Sequence, residues 1–173
     1  MNTGAKISDI MILGLGNPIL GDDGIGCSVS ELIGSRIGED SGITVLSASV
    51  SPIRLLDEIS GFERLIIIDS ITTGLVEPGE LLEIQFPVNS STPVSVHHFS
   101  IDQILSIGNA LGLSMPEHIK VYGIEIIRPE EYGSSLSPVI SKRLPEIAEE
   151  IINLEFINCM HTLRYYPERR INV

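Results

Sequence analysis

Two unbroken aliphatic runs, Ile10-Met11-Ile12-Leu13 and Leu65-Ile66-Ile67-Ile68, constrain this chain more than any other feature. Neither alternates apolar with polar residues, so as strands both must be covered on both faces, as inner strands of a parallel sheet are. The first stops at Gly14 and the second at Asp69. Between them Ile25, Val29, Leu32, Ile33 and Ile37 follow helical spacing up to Gly38, and Ile43 to Leu46 makes a further strand. Ser51-Pro52 then reads as an N-cap and a first-turn proline, opening a helix through Leu55, Leu56 and Ile59 that Gly61 closes.

The pattern continues beyond Asp69. Glu77-Pro78-Gly79-Glu80 predicts a turn, and Leu81 to Phe86 a strand at the sheet edge, antiparallel to its neighbour. Ser100 is a good N-cap for a helix carrying Ile101, Ile104, Leu105, Ile107 and Leu111, ended by Gly112. Ile119 to Ile127 supplies one more strand, and Ser137-Pro138 starts a last helix that Pro145 should kink. The expected fold is α/β: one three-layer α/β/α domain over residues 1–173, with helices on both faces of a mostly parallel twisted sheet and an antiparallel edge strand. A chain of 173 residues buries roughly 70% of its unfolded surface, enough to need no staple.

Charge and cysteine content remove several function classes. With 23 acids against 11 bases the net charge is −12, which disfavours a nucleic-acid backbone or an anionic membrane as partner. Arg164, Arg169 and Arg170 gather near the end of an otherwise acidic chain and read as a solvated tail. Cys27 and Cys159 are far apart and form no metal-ligand spacing. No apolar stretch approaches the ~20 residues of a membrane span, and the first nine residues have no signal-type apolar core, so a cytoplasmic protein is expected.

The chemistry concentrates where the first strand hands over to its helix, in Gly14-Leu-Gly-Asn-Pro-Ile-Leu-Gly-Asp-Asp-Gly-Ile-Gly26. A glycine-rich turn at a helix start usually cradles phosphate, but two carboxylates inside it would repel that ligand. Asp22 and Asp23 therefore point to chemistry that uses a carboxylate. In an open α/β sheet the ligand crevice lies at the carboxyl ends of the strands, which lets Asp22, Asp23 and Asp69 share one rim. His97 and His98 precede a helix whose loop can reach the same rim.

Two carboxylates and an imidazole form a mixed oxygen and nitrogen set that suits a divalent transition metal with open positions. Each residue also has an ordinary structural role. Asp22 is assigned the role of capping the first helix or shaping its turn, and Asp23 the functional position; Asp69 alone could end a strand, and either histidine could lie on the surface. Spacing does not choose between His97 and His98. Ser28, Ser30 and Ser70 sit in no nucleophile elbow. Cys27 reads as a buried helix residue, and Glu125 as a solvated edge position rather than a crevice wall.

These blocks resemble the hydrogenase maturation endopeptidases, which trim the C-terminus of the large subunit of nickel-iron hydrogenases. The resemblance runs along most of the chain: Gly14-Leu15-Gly16-Asn17, Gly21-Asp22-Asp23-Gly24, Leu65 to Asp69, Glu77-Pro78-Gly79-Glu80, Ser95-Val96-His97, and Leu136-Ser137-Pro138 with Pro145. It implies that Asp23, Asp69 and His97 are both the metal-contacting and the catalytic residues, with His98 as an extra histidine and alternative ligand. Gly123-Ile124-Glu125-Ile126 departs from the pattern by carrying isoleucine where many members have proline.

The resemblance further implies an endopeptidase acting on a large-subunit precursor already loaded with nickel. The metal then belongs to the substrate, no organic cofactor is held, and the enzyme is a monomer. Two other readings remain. One is a non-catalytic nickel-binding or precursor-docking chaperone using the same three residues. The other is a peptidyl-tRNA hydrolase-like enzyme, whose opening Gly14-Leu15-Gly16-Asn17-Pro18 resembles but whose basic context this chain lacks.

Overall fold

A computed structural model describes residues 10–38, 41–48, 52–85, 98–127, 133, 135–157 and 170–171. Strands are β1 (Ile10–Leu15), β2 (Ile43–Ala48), β3 (Arg64–Ile71), β4 (Leu81–Ile84), β5 (His118–Glu125) and β6 (Arg170–Ile171). Helices are α1 (Ile25–Ile37), α2 (Pro52–Ile59), α3 (His98–Ala110) and α4 (Pro138–Ile152), the last followed by a π-helical turn, Asn153–Ile157.

The sheet order is β2-β1-β3-β5-β4-β6. β2, β1, β3 and β5 are parallel; β4 runs antiparallel to β5, and the two-residue β6 adjoins the outer side of β4. The aliphatic runs are unbroken because successive side chains feed different cores. Met11, Leu13, Leu65 and Ile67 pack on α2 and α3 through Leu55, Ile59, Ile101 and Ile104. Ile12, Ile66 and Ile68 turn the other way, against Ile25, Val29 and Ile33 of α1 and Ile140, Ile147 and Ile151 of α4. The expected α/β architecture with helices on both faces is therefore the observed one.

Several local expectations change. α3 begins at His98, so Ser100 lies inside its first turn instead of capping it. α4, by contrast, starts as expected, with Ser137 capping it by accepting from the Ile140 N–H at 3.5 Å, and it runs through Pro145 to Ile152. β3 continues past Asp69 to Ile71, β5 ends at Glu125 rather than Ile127, and β4 ends at Ile84, Phe86 lying outside the described residues. Ser51, His97 and the other residues outside the ranges above are not described; this includes Ser95, Val96, Cys159, Arg164 and Arg169.

Candidate active site

The carboxyl ends of β1, β3 and β5 form one rim, and close packing beneath it fixes the loop that carries Asp22 and Asp23. A Cβ on Gly26 would lie 2.2 Å from the Leu15 carbonyl oxygen and 2.4 Å from that of Ile68, so the first turn of α1 sits directly on β1 and β3. Gly14 faces it, with room for no side chain beside the Gly26 carbonyl. Gly16 has φ 143° and presses on the Asp23 carbonyl, where a Cβ would come within 2.1 Å. The glycines thus serve close approach of backbone to backbone, and no phosphate is needed to explain them.

This packing delivers Asp23 to β3. Asp23 Oδ1 accepts from the Ser70 hydroxyl at 2.8 Å, and its Oδ2 accepts from the Asn17 N–H at 3.1 Å. The N–H of Ser70 donates to Asp69 Oδ1 at 2.8 Å. One residue therefore links both carboxylates, by its side chain on one hand and its backbone on the other. Strand alternation puts Ser70 on the α1/α4 face of β3, toward Asp23, and Asp69 on the α2/α3 face. Ser70 is buried, Asp69 is fully buried, and Asp23 is half-buried, so Asp23 is the one of the pair that meets solvent.

The first expectation for Asp22 is corrected. Neither the 3-10 turn Gly21–Gly24 nor α1 has a side-chain cap; Asp22 Oδ1 instead accepts from the Ser137 N–H at 2.6 Å, at the start of α4. It serves the backbone, but that of a helix 115 residues away in place of its own. Gly133 N–H to Ile19 carbonyl at 3.1 Å closes the same seam between the first loop and the approach to α4.

Glu125 is the second correction. Far from being solvated, it is buried and accepts from the Thr73 N–H and the Gly74 N–H, each at 2.8 Å, and from the Thr73 hydroxyl. The reason is tertiary: the loop leaving β3 turns back over the end of β5, and its N–H groups need an acceptor. Cys27 is buried as expected, its sulfur 3.6 Å from the Gly14 carbonyl oxygen.

His97 lies outside the described residues. His98 is the first residue of α3, and that placement is informative at the backbone level. α3 leads through a short connection into the amino end of β5, and its 13 residues span about 20 Å. Its N-terminus therefore returns to the carboxyl rim, on the face that Asp69 occupies. Among the described residues no group of three acid, histidine or cysteine side chains is arranged to hold a metal. Chemically, the rim presents the half-buried carboxylate of Asp23, fixed by Ser70 and Asn17, and, one residue before Ser70 in β3, the fully buried carboxylate of Asp69. Sequence reasoning passed over Ser70 as a candidate nucleophile; its bond to Asp23 depends on how β1 and β3 align, which spacing does not encode.

A family model described as hydrogenase maturation protease matches residues 27–154. The hydrogenase expression/formation protein HupD of Bradyrhizobium diazoefficiens is 26% identical over 148 residues, covering 83% of this chain and 76% of HupD. The hydrogenase 2 maturation protease of Escherichia coli is 23% identical, covering 83% and 88% of the two chains. Among solved structures, the hydrogenase maturating endopeptidase HybD from E. coli superposes with a TM-score of 0.68 at 22% identity, over 84% of this chain and 90% of that one. With the family model spanning most of a chain that already has this α/β sheet and rim, the chain belongs to the hydrogenase maturation protease family and is a hydrolase.

Proposed function

We propose that this protein is an endopeptidase that removes the C-terminal extension of a nickel-loaded hydrogenase large-subunit precursor, and that Asp23, Asp69 and His97 read the substrate's nickel. The observation that carries this reading is Ser70, which donates its hydroxyl to Asp23 of the first loop and its N–H to Asp69, its neighbour in β3. Family membership supports the protease activity, and α3 starting at His98 on the Asp69 side supports the histidine's part. His98 is the alternative ligand. The nickel is cargo of the precursor, and no organic cofactor is required.

In this mechanism the carboxylates and the imidazole complete the coordination of the substrate's metal and so position the scissile peptide. Half-exposed Asp23 meets the precursor first, and buried Asp69 requires the metal-bearing segment to insert into the rim instead of resting on it. Asp23 or Asp69 then serves as general base toward the attacking water. Among the described residues no helix is long and apolar enough to cross a membrane.

The test is cleavage of nickel-loaded precursor followed by mass spectrometry. Asp23→Asn, Asp69→Asn and His97→Ala are each expected to lower kcat/KM by at least about 100-fold. Wild-type rates in all three variants would sink the assignment, and binding without any mass change would favour the docking chaperone.

A further inference from the structure

We propose that Glu125 is a positioning residue of the rim: by its reach and not its charge, its side chain holds the carboxyl end of β3 where Ser70 can orient Asp23 and Asp69. This rests on the protease reading above and adds to it the residue that keeps the site in place. The end of β3 needs an anchor. β1 pairs with β3 only as far as Ile68, so Asp69, Ser70 and Ile71 project beyond it and pair with β5 alone, opposite Gly123, Ile124 and Glu125. A strand end with a neighbour on one side only opens at less cost than the middle of a sheet. Both bonds of Ser70 lie in this overhang, its N–H on Asp69 and its hydroxyl on Asp23.

Glu125 closes the overhang. One oxygen of its buried carboxylate accepts both the Thr73 N–H and the Gly74 N–H, and the other accepts the Thr73 hydroxyl, so the chain is caught just after β3 ends at Ile71. The next residue adds a rung, Ile126 N–H to Ile71 carbonyl at 2.8 Å. Residues 72–80 then cross over the end of β5 to reach β4, and their second foot stands on main chain. There the Gly79 N–H donates to the Glu125 carbonyl at 2.8 Å, and the Glu125 N–H to the Glu80 carbonyl at 3.0 Å. Arg143 braces that foot from α4, its Nε on the Gly79 carbonyl at 3.3 Å. The first foot, the one nearer Ser70, is the one that rests on the Glu125 side chain.

Glu125 stands on the α2/α3 face of the sheet, as Asp69 does, because Ile124 and Ile126 on either side of it enter the opposite core. A further carboxylate on this face invites the role of ligand or base, but both its oxygens are turned to the loop. What the loop needs is an acceptor of the right length. A carboxamide of the same length offers one oxygen to the two N–H groups, and its NH2 meets a hydroxyl that can turn from donor to acceptor. An aspartate keeps the charge, but its carboxylate is withdrawn by one methylene, about 1.5 Å, from all three donors. Glutamine and aspartate at this position therefore separate reach from charge.

The experiment compares Glu125→Gln with Glu125→Asp in steady-state cleavage of the nickel-loaded precursor and in amide hydrogen exchange. Glu125→Gln is expected to keep kcat within about twofold of wild type, and Glu125→Asp to lower it about tenfold or more with KM little changed. Exchange at the Ser70, Thr73 and Gly74 amides should rise about tenfold in Glu125→Asp and stay at the wild-type rate in Glu125→Gln. Tyr122→Phe, which removes a buried hydroxyl from the other face of β5, is the stability control and should keep the wild-type kcat despite a lower thermal midpoint. A tenfold loss of kcat in Glu125→Gln overturns the proposal, because charge is then what counts. Wild-type kcat in Glu125→Asp overturns it too, as does a fall in Tyr122→Phe as large as in Glu125→Asp, which would reduce the effect to stability. Fast exchange of the Thr73 and Gly74 amides in the wild type refutes the clamp whatever the variants do. Should the wild type bind the precursor without cleaving it, the protease reading fails separately, and exchange of the Ser70 amide in the two variants still decides the role of Glu125.

Discussion

Ser70 concentrates in one residue what the site demands of its scaffold. Its N–H fixes Asp69 and its hydroxyl fixes Asp23, so removing the hydroxyl leaves the strand intact but frees one carboxylate to rotate. A hydrogen bond to a charged acceptor contributes about 1.5–3 kcal/mol. Ser70→Ala is therefore expected to lower kcat about tenfold or more with little change in KM, since only the orientation of Asp23 is lost. A circular-dichroism melt within a few degrees of wild type separates this from a folding defect. Retained kcat would mean that the Asn17 N–H, which donates to the other oxygen, is enough to orient Asp23. None of this was legible from the residue itself: a serine after the aspartate that ends an aliphatic run carries no signal until β1 and β3 lie side by side.

At the scale of elements, the sheet was legible because its strands are aliphatic runs and its helices keep a regular apolar spacing. Boundaries and long-range acceptors were not. Glu125 looked solvated because its partners, Thr73 and Gly74, arrive from a loop about 50 residues earlier, and Asp22 looked like a cap for the helix next to it while serving Ser137. In both cases a buried N–H on a distant loop selected the carboxylate, and local propensity had no say. The glycine block was legible as a turn but not in its purpose, which is contact between α1 and the sheet. Gly26→Ala tests that purpose. Its methyl group would meet two backbone carbonyls closer than 2.5 Å, neither of which can swing aside, so α1 must lift from β1 and β3. The expected cost is at the upper end of about 1–3 kcal/mol, measured by urea denaturation, with activity falling further than stability because Asp23 rides on the displaced turn. An unchanged denaturation midpoint would refute the close packing.

At the scale of the molecule, the sheet is loaded with charge at both ends, and the end away from the rim is organised around Glu155. This residue belongs to the π-helical turn after α4, its side chain is buried, and it pairs with Arg64 of β3 and, at 3.1 Å, with Lys120 of β5. Tyr122, fully buried on β5, donates its hydroxyl to the same carboxylate. The cluster fastens the end of α4 to two inner strands, so it acts on global stability and lies at the opposite end from the catalytic rim. Burial, the hydrogen bond to Glu155 and the charge of that carboxylate push the Tyr122 phenol well above the ordinary tyrosine range. Tyr122→Phe should cost about 1.5–3 kcal/mol at pH 7, because a charged acceptor loses a buried donor. The pH dependence has a definite sign. Above about pH 10 the unfolded phenol releases its proton while the folded one keeps it, so the wild type loses roughly 1.4 kcal/mol of stability per pH unit from this group. The phenylalanine variant has no such group, and the stability gap between the two proteins should narrow steadily from pH 10 upward in paired denaturation curves. A gap that stays constant through this range would mean that the phenol ionises alike in both states and that Glu155 is held by Arg64 and Lys120 alone.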